Sequence, residues 1–235
     1  MHLRSTLPPL PNNMRDLPVD TRGYPIPFFV QWIDGVPEFR LANRGNLHRC
    51  VLLKLCWVCG KPLGNRLVAF TIGPMCAVNR ISSEPPQHPE CAEFSARACP
   101  FLINPKMRRR EDNLPDKQEP AGLMLEHNPG VTLVWITRSW NVVHELNGYL
   151  FEIGTPTKAL WYKEGRMASR DEVGAAIDNG FPLLRQYAKS KKDLAELENQ
   201  RIAAMKLLPK ERKEMANVHD QIDMLIVSLK NNRNG

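Results

Sequence analysis

The side chains best placed to do chemistry are cysteines and histidines, and five of the six cysteines fall between Cys56 and Cys99. Cys56-Trp57-Val58-Cys59 puts two thiols two residues apart, and His88-x-x-Cys91 repeats that spacing with an imidazole. A tight turn carrying Cys-x2-Cys supplies two ligands from one side of a tetrahedral ion, and a second pair closes the tetrahedron. The spacing therefore predicts a structural zinc ion held by Cys56, Cys59, His88 and Cys91. Gly60 suits the knuckle, because a glycine tolerates the left-handed backbone such a turn needs. The long interval between the pairs contains Cys76, which follows Gly73-Pro74-Met75 and could replace His88 or Cys91 as a ligand; that choice stays open. Cys50 and Cys99 read as small buried core residues.

Competing chemistries fit less well. A catalytic zinc keeps an open position beside a general base, for which Glu90 and Glu93 stand nearest in sequence. A thiolate-rich set is usually closed, and an acidic residue in a first helical turn is explained by the helix dipole. A thioredoxin-like redox pair would call for a βαβ context that is not seen. His88, Asn79 and His127 do not make the set of a ββα nuclease. The deaminase order of His-x-Glu before Pro-Cys-x-x-Cys is absent, as are the phosphate-binding, dinucleotide-binding and hydrolase signatures. An enzyme acting on nucleic acid or a nucleotide would have to use His127, His144, Glu145, Glu152, Glu164 and the 161–170 segment.

The elements that must position these ligands begin after a proline-rich lead-in, residues 1–21, expected to be mobile or extended. Residues 22–112 read as a β-hairpin and a zinc-binding module. Asp34-Gly35 turns between PFFVQWI and EFRLA, and a short helix over NLHRCVLLKL, with Cys50 on its buried face, delivers the chain to Cys56. A strand over 67–72 is closed by Gly73-Pro74. Pro85, Pro86 and Pro89 hold the approach to the second pair extended, and Pro89-Glu90 begins a helix. A knuckle, a strand and a helix start carrying the second pair is the order of a treble-clef module.

PKMRRREDNLPDKQEP, residues 105–120, is charged and poor in apolar residues, and reads as a solvated connection, including its Arg108-Arg109-Arg110 cluster. Beyond it, residues 123–181 read as a small α+β part. VTLVWITR, YLFEIG and KALWYK are strands, with Asn147-Gly148 turning between the first two. Trp161 and Tyr162 are expected on opposite faces of their strand, one in the core and one at the surface. That reading outweighs a nucleic-acid platform built with Arg138, Trp140, Lys163, Arg166 and Arg170. Ser169 and Glu172 form a capping box, starting a helix that stops near Gly180. Residues 182–235 predict an antiparallel helical hairpin, one helix opened by Pro182 and one by Pro209. Its stripes are Leu194, Leu197, Arg201, Met205 and Leu208, and Met215, Val218, Ile222, Leu225 and Leu229. Such a hairpin offers a surface for a partner or for self-association.

The fold class expected is α+β, with a mostly antiparallel sheet. Composition, with 43% hydrophobic and 24% charged residues, is that of a globular chain. No apolar run approaches the roughly 18 residues of a membrane span, and the N-terminus lacks the apolar core of a secretory signal. A cytoplasmic protein is expected. Its formal charge of +7 favours an anionic contact without requiring one.

At CWVCGKPLG, GPMCAVN, SEPPQHPECAEFSARACPFL, PGVTLVWITRSW and LWYKEGRMASRDEV the chain resembles a family of uncharacterised proteins found in bacteria and phages. The match covers roughly Leu17 to Ala188. It implies a bacterial or phage setting and no established activity. Because it crosses residues 105–120, it also implies that both halves form one unit, with one composite sheet. Together these readings predict a non-enzymatic, zinc-stabilised adaptor for a macromolecule, either a protein or a nucleic acid.

Overall fold

A computed structural model describes residues 2–107 and 128–210. Its lead-in, expected to be mobile or extended, is instead built of turns and a one-turn 3-10 helix at Asn12–Met14 and is docked: Leu7, Leu10 and Leu17 pack against the main core and Met14 is 1% exposed. Those four residues give the proline-rich segment one apolar edge.

Strands β1 (Val30–Ile33) and β2 (Val36–Ala42) form the expected hairpin. Asp34 and Gly35 both have positive φ, 49° and 78°, as a type I′ turn requires. Helix α1 (Arg44–Leu53) starts where the Asn43 side chain accepts from the Asn46 N–H, and it buries Cys50. Strand β3 (Val68–Ile72) ends at Gly73-Pro74, which does more than close it. Pro74 is the first residue of a short helix, α2 (Pro74–Asn79), where its missing N–H costs nothing. Strand β4 (Ile81–Ser82), helix α3 (Pro89–Ala98) and helix α4 (Pro100–Ile103) follow.

After residues 108–127, strand β5 (Thr132–Thr137) leads to β6 (Trp140–Glu145) and β7 (Gly148–Ile153). The turn before Gly148 thus joins β7 to β6, a strand that the sequence reading passed over, and not to β5. Strands β8 (Pro156–Lys163) and β9 (Arg166–Met167) complete two sheets, ordered β3-β5-β8-β9 and β4-β7-β6, with every pair antiparallel. The fold class is α+β. β3 with β5, and β4 with β7, join segments from both sides of residues 108–127.

All six residues of β5 are buried, because the larger sheet is covered on both faces. Leu133 and Trp135 join Phe70, Phe151, Trp161, Ile177 and Phe181 in the main core, whereas Val134 and Ile136 meet Ala92 and Ala96 of α3. Trp161 and Tyr162 do lie in different clusters, but Tyr162 is 4% exposed and not at the surface. Alternation along a strand assigns faces; it does not say what covers each one.

Helix α5 (Arg170–Arg185) begins at the predicted capping box, with Glu172 N–H donating to Ser169 Oγ and Ser169 N–H to Glu172 Oε2. Arg166 adds two hydrogen bonds to the Glu172 carboxylate and Lys163 an ion pair, and with the Arg166 contact foremost they hold that carboxyl well below its usual range. The helix does not stop near Gly180. Gly180 is instead a close approach, where a Cβ would fall 2.7 Å from Met75 Cε of α2, and Pro182 lies inside the helix. The chain breaks later and restarts as α6 (Lys191–Met205), capped by Ser190. α6 returns antiparallel to α5, with Arg201 paired to Asp178 at 2.7 Å and lying over the Phe181 ring. Leu197, Met205 and Leu208 of the predicted stripe pack into the core. The second predicted helix, beyond Lys210, lies outside the described residues.

Pro182 cannot donate to the Asp178 carbonyl, which a helix interior requires. Pro182→Ala is expected to raise stability by about 1–2 kcal/mol, the restored bond being partly offset by a freer unfolded chain. A higher urea midpoint at constant slope would show it; an unchanged or lower midpoint would count against it.

Candidate metal centre

Three backbone segments converge on one buried point. The first is the knuckle at 55–62. Cys56 N–H donates to the Lys61 carbonyl, Gly60 N–H to the Cys56 carbonyl, and Leu55 bridges Pro62, so Cys56 and Cys59 project from one tight turn. Gly60 has φ +71°, and a Cβ on it would lie 2.7 Å from Phe28 Cδ2. Phe28 is itself fixed, its N–H donating to the Val58 carbonyl at 2.8 Å.

The second segment is the approach to α3. Gln87 and Ala69 exchange both backbone hydrogen bonds at 2.8 Å, which ties this loop to β3. Gln87 is 2% exposed, and its side-chain oxygen accepts from the Thr71 hydroxyl at 3.1 Å. The third is the helix start itself, with His88 at the N-cap and Cys91 in the first turn.

The four predicted ligands meet. The candidate ligand atoms of Cys56, Cys59, His88 and Cys91 all lie within 4.8 Å of one another, and all four residues are buried. A tetrahedral ion with metal–sulfur bonds of about 2.3 Å needs edges near 3.8 Å. His88 Nδ1 lies 3.3 Å from Cys59 Sγ and 3.9 Å from Cys91 Sγ. Its other nitrogen, Nε2, is 2.9 Å from the Pro62 carbonyl. That contact puts the ring proton on Nε2 and turns the Nδ1 lone pair toward the thiols, the orientation a ligating histidine needs. Sequence reasoning missed Pro62, since a backbone carbonyl leaves no residue-type signal.

The electrostatics match. Burial opposes ionisation of Cys56, but hydrogen bonds from the side chains of Cys59, Cys91 and His88 and from the Cys59 backbone outweigh it and hold the thiol far below its ordinary range. Hydrogen bonding to Cys56 and Cys59 lifts His88 to about 10. Cys91 moves up, since it shares its proton with Cys56 and Cys59 and is buried besides. The raised His88 and Cys91 thus hold protons beside a Cys56 thiolate, a divalent cation would displace those protons, and the set could bind a metal ion.

Cys76 lies on α2 and is not part of this cluster; burial pushes its thiol up to about 11. Cys50 sits in a satellite core with Leu55 and Trp57, and burial raises it to about 12. Cys99 is raised by burial as well. The groups considered for an enzyme are dispersed. His144, Glu145 and Glu152 are exposed on the smaller sheet, Glu164 is exposed in the turn after β8, and His127 lies outside the described residues, as do Arg108, Arg109 and Arg110. One cluster went unforeseen: His48 Nδ1 lies 2.6 Å from the Tyr149 hydroxyl, with His144 edge-on to the same ring. Residues 101 positions apart carry no local pattern that could reveal it.

No family model matches the chain, and no curated protein or solved structure is significantly similar to it. The chemistry of the centre therefore rests on its own geometry, in which Gly60 is the most constrained position. Gly60→Ala combines a left-handed φ with a clash against a pinned aromatic ring. It should cost about 2–4 kcal/mol and weaken metal binding. Chemical denaturation and competition with a chromophoric chelator measure the two effects, and a neutral substitution would show that the knuckle is not under this constraint.

Proposed function

We propose that Cys56, Cys59, His88 and Cys91 hold one structural zinc ion in a treble-clef module, and that the protein is a zinc-stabilised, non-enzymatic adaptor for a macromolecule. The observation that carries this reading is the burial of four nitrogen and sulfur ligands together, between 0% and 9% exposed. Three thiolates and an imidazole suit zinc, and four protein ligands leave no position for substrate or reactive water. The order of knuckle, β3 and α3 start supports the treble clef. The dispersal of the acidic and histidine side chains over separate elements supports a binding role. The formal charge of +7 supports an anionic partner, a protein or a nucleic acid.

Bound zinc would supply the positive charge that lets all three thiols ionise at once. Elemental analysis should find about one zinc per chain, with Cys56→Ser and Cys91→Ser losing both metal and cooperative folding. Acidification from about pH 7 to about pH 5 should release the ion, because protons compete for every ligand. A metal-free protein that is stably folded, or one whose folding ignores a strong chelator, would sink the structural role. Binding to generic DNA and RNA across a salt series separates the partner classes, since a nucleic-acid adaptor must bind at low salt and weaken steeply with added salt.

A further inference from the structure

The turn joining α5 to α6 carries positive charge that no described residue neutralises. Residues 179–192, NGFPLLRQYAKSKK, contain Arg185, Lys189, Lys191 and Lys192 and no acidic residue. All four cations are exposed, and among the described residues none of them forms an ion pair. Elsewhere on the same two helices the charges are matched: Glu172 takes Arg166 and Lys163, and Arg201 takes Asp178 and Glu198. Lys191 and Lys192 are also the first two residues of α6, the end of a helix where acidic residues are favoured and cations are not. Folding alone gives no reason for that placement, and an anion at the turn would offset it.

One aromatic ring stands among these cations. Tyr187 is 59% exposed, and neither its ring nor its hydroxyl has a partner among the described residues. The backbone that carries it is fixed. Tyr187 N–H donates to the Leu184 carbonyl at 3.1 Å, Asp193 N–H to Ser190 Oγ at 3.1 Å and Lys189 N–H to Asp193 Oδ2 at 3.0 Å. Asp193, the nearest acid, is thereby engaged with the turn's own backbone, and a backbone already ordered lowers the cost of binding. Helix α1 is also free of acids, but Arg49 there lies over the Phe28 ring and donates to Asn46, and His48 is hydrogen bonded to Tyr149.

We propose that the α5–α6 turn binds single-stranded nucleic acid, with Arg185, Lys189, Lys191 and Lys192 on phosphates and Tyr187 stacked on an unpaired base. The inference rests on the reading of the protein as an adaptor, and it names the partner class and the surface. Cations on a fixed turn follow a sugar–phosphate backbone without reading its sequence, and an aromatic face accepts any base. A duplex would give the ring nothing to stack on, because its bases are already paired and stacked. An anionic bilayer would satisfy the lysines, but residues 186–190, QYAKS, offer it no apolar side chain beyond Tyr187 and Ala188, and the exposed Leu183 and Leu194 stand one turn back on either helix.

Fluorescence anisotropy of a labelled oligothymidylate with the full-length protein across a salt series tests this, with zinc content and far-UV circular dichroism measured on each sample. Binding should weaken as salt rises with a log–log slope of about −3, since each phosphate contact on a single strand contributes about −0.7. Lys191→Glu with Lys192→Glu should raise the dissociation constant about tenfold or more. Should charge reversal perturb the helix start, Lys191→Gln with Lys192→Gln removes the same charges and should flatten the slope by about 1.4. Tyr187→Ala should weaken binding about fivefold or more with the slope unchanged, and Tyr187→Phe should leave it intact. A folded, zinc-loaded protein that ignores the oligonucleotide at low salt overturns the inference and leaves the adaptor reading with a protein partner. An oligonucleotide bound through the turn and then cut supports the surface and overturns the non-enzymatic reading instead. Binding indifferent to the turn variants, duplex bound as tightly as the single strand, or phosphatidylserine vesicles bound through these residues in its place would each overturn the inference.

Discussion

Four ligand atoms held within 4.8 Å of one another, inside a pocket closed to solvent, are the constraint on which the first half of this protein turns. Bringing three thiols and an imidazole into low dielectric is unfavourable unless protons or a cation neutralise them. The backbone nonetheless commits heavily to doing so. The knuckle exchanges hydrogen bonds within itself, Gly60 takes a left-handed conformation against Phe28, Gln87 pairs with Ala69, and Pro62 orients the histidine ring. One of them, the Gln87–Ala69 pairing, also covers the edge of β3. All of them aim side chains at one point.

The reason lies in how unevenly apolar surface is distributed. The main core is fed by β3, β5, β7, β8 and the helices α2, α5 and α6, and α3 seals the opposite face of the larger sheet with alanines. By contrast the chain leading into β1 and much of α1 rest on a satellite of Cys50, Leu55 and Trp57, with Phe28, Phe29 and Leu47 against it, and α1 reaches the main core through Leu47 and Val51. Such a small cluster cannot hold so many residues by burial alone, which is the circumstance in which small folds recruit a metal. The ligand cluster sits where the satellite meets the main core, since Cys56, Cys59 and Cys91 line the latter. It is a clasp between a well-buried part and a poorly buried one.

What the sequence made legible was local. Asp34-Gly35, the Ser169–Glu172 box, Pro89 at a helix start and the paired ligand spacings each act within about four residues, and the side chain itself carries the instruction. What stayed illegible depended on partners far along the chain. Gly180 looks like a helix stop until α2 places Met75 beside it, which turns a terminator into a contact. Tyr162 looks like a surface residue until α3 covers its face. β6 was passed over because Trp140–Glu145 has intermediate burial and pairs only with β7, leaving a weaker pattern than the fully buried β5. At the candidate centre the ligand types were visible while the choice against Cys76 was not, because contacts far along the chain, Gln87 with Ala69 and Trp57 with Pro86, bring His88 and Cys91 to the knuckle.

The same division of labour bears on where function resides. A buried cluster presents little to solvent, so it acts on the rest of the molecule through the elements it joins. α3 carries two of the four residues, His88 at its N-cap and Cys91 in its first turn, and α1 is tied to the same point through its C-cap residue Lys54, whose carbonyl accepts from the Leu63 N–H across the knuckle two residues before Cys56. The inner side of α1 packs on the satellite core through Cys50 and on the main core through Leu47 and Val51, and its outer side exposes Arg44, Arg49, Leu52 and Leu53. A metal ion at the cluster would therefore act on the knuckle and on the start of α3 together, since Cys56 and Cys59 project from the one and Cys91 from the other, and through Cys56, Val58, Cys59 and Leu63 it would act on the main core as well.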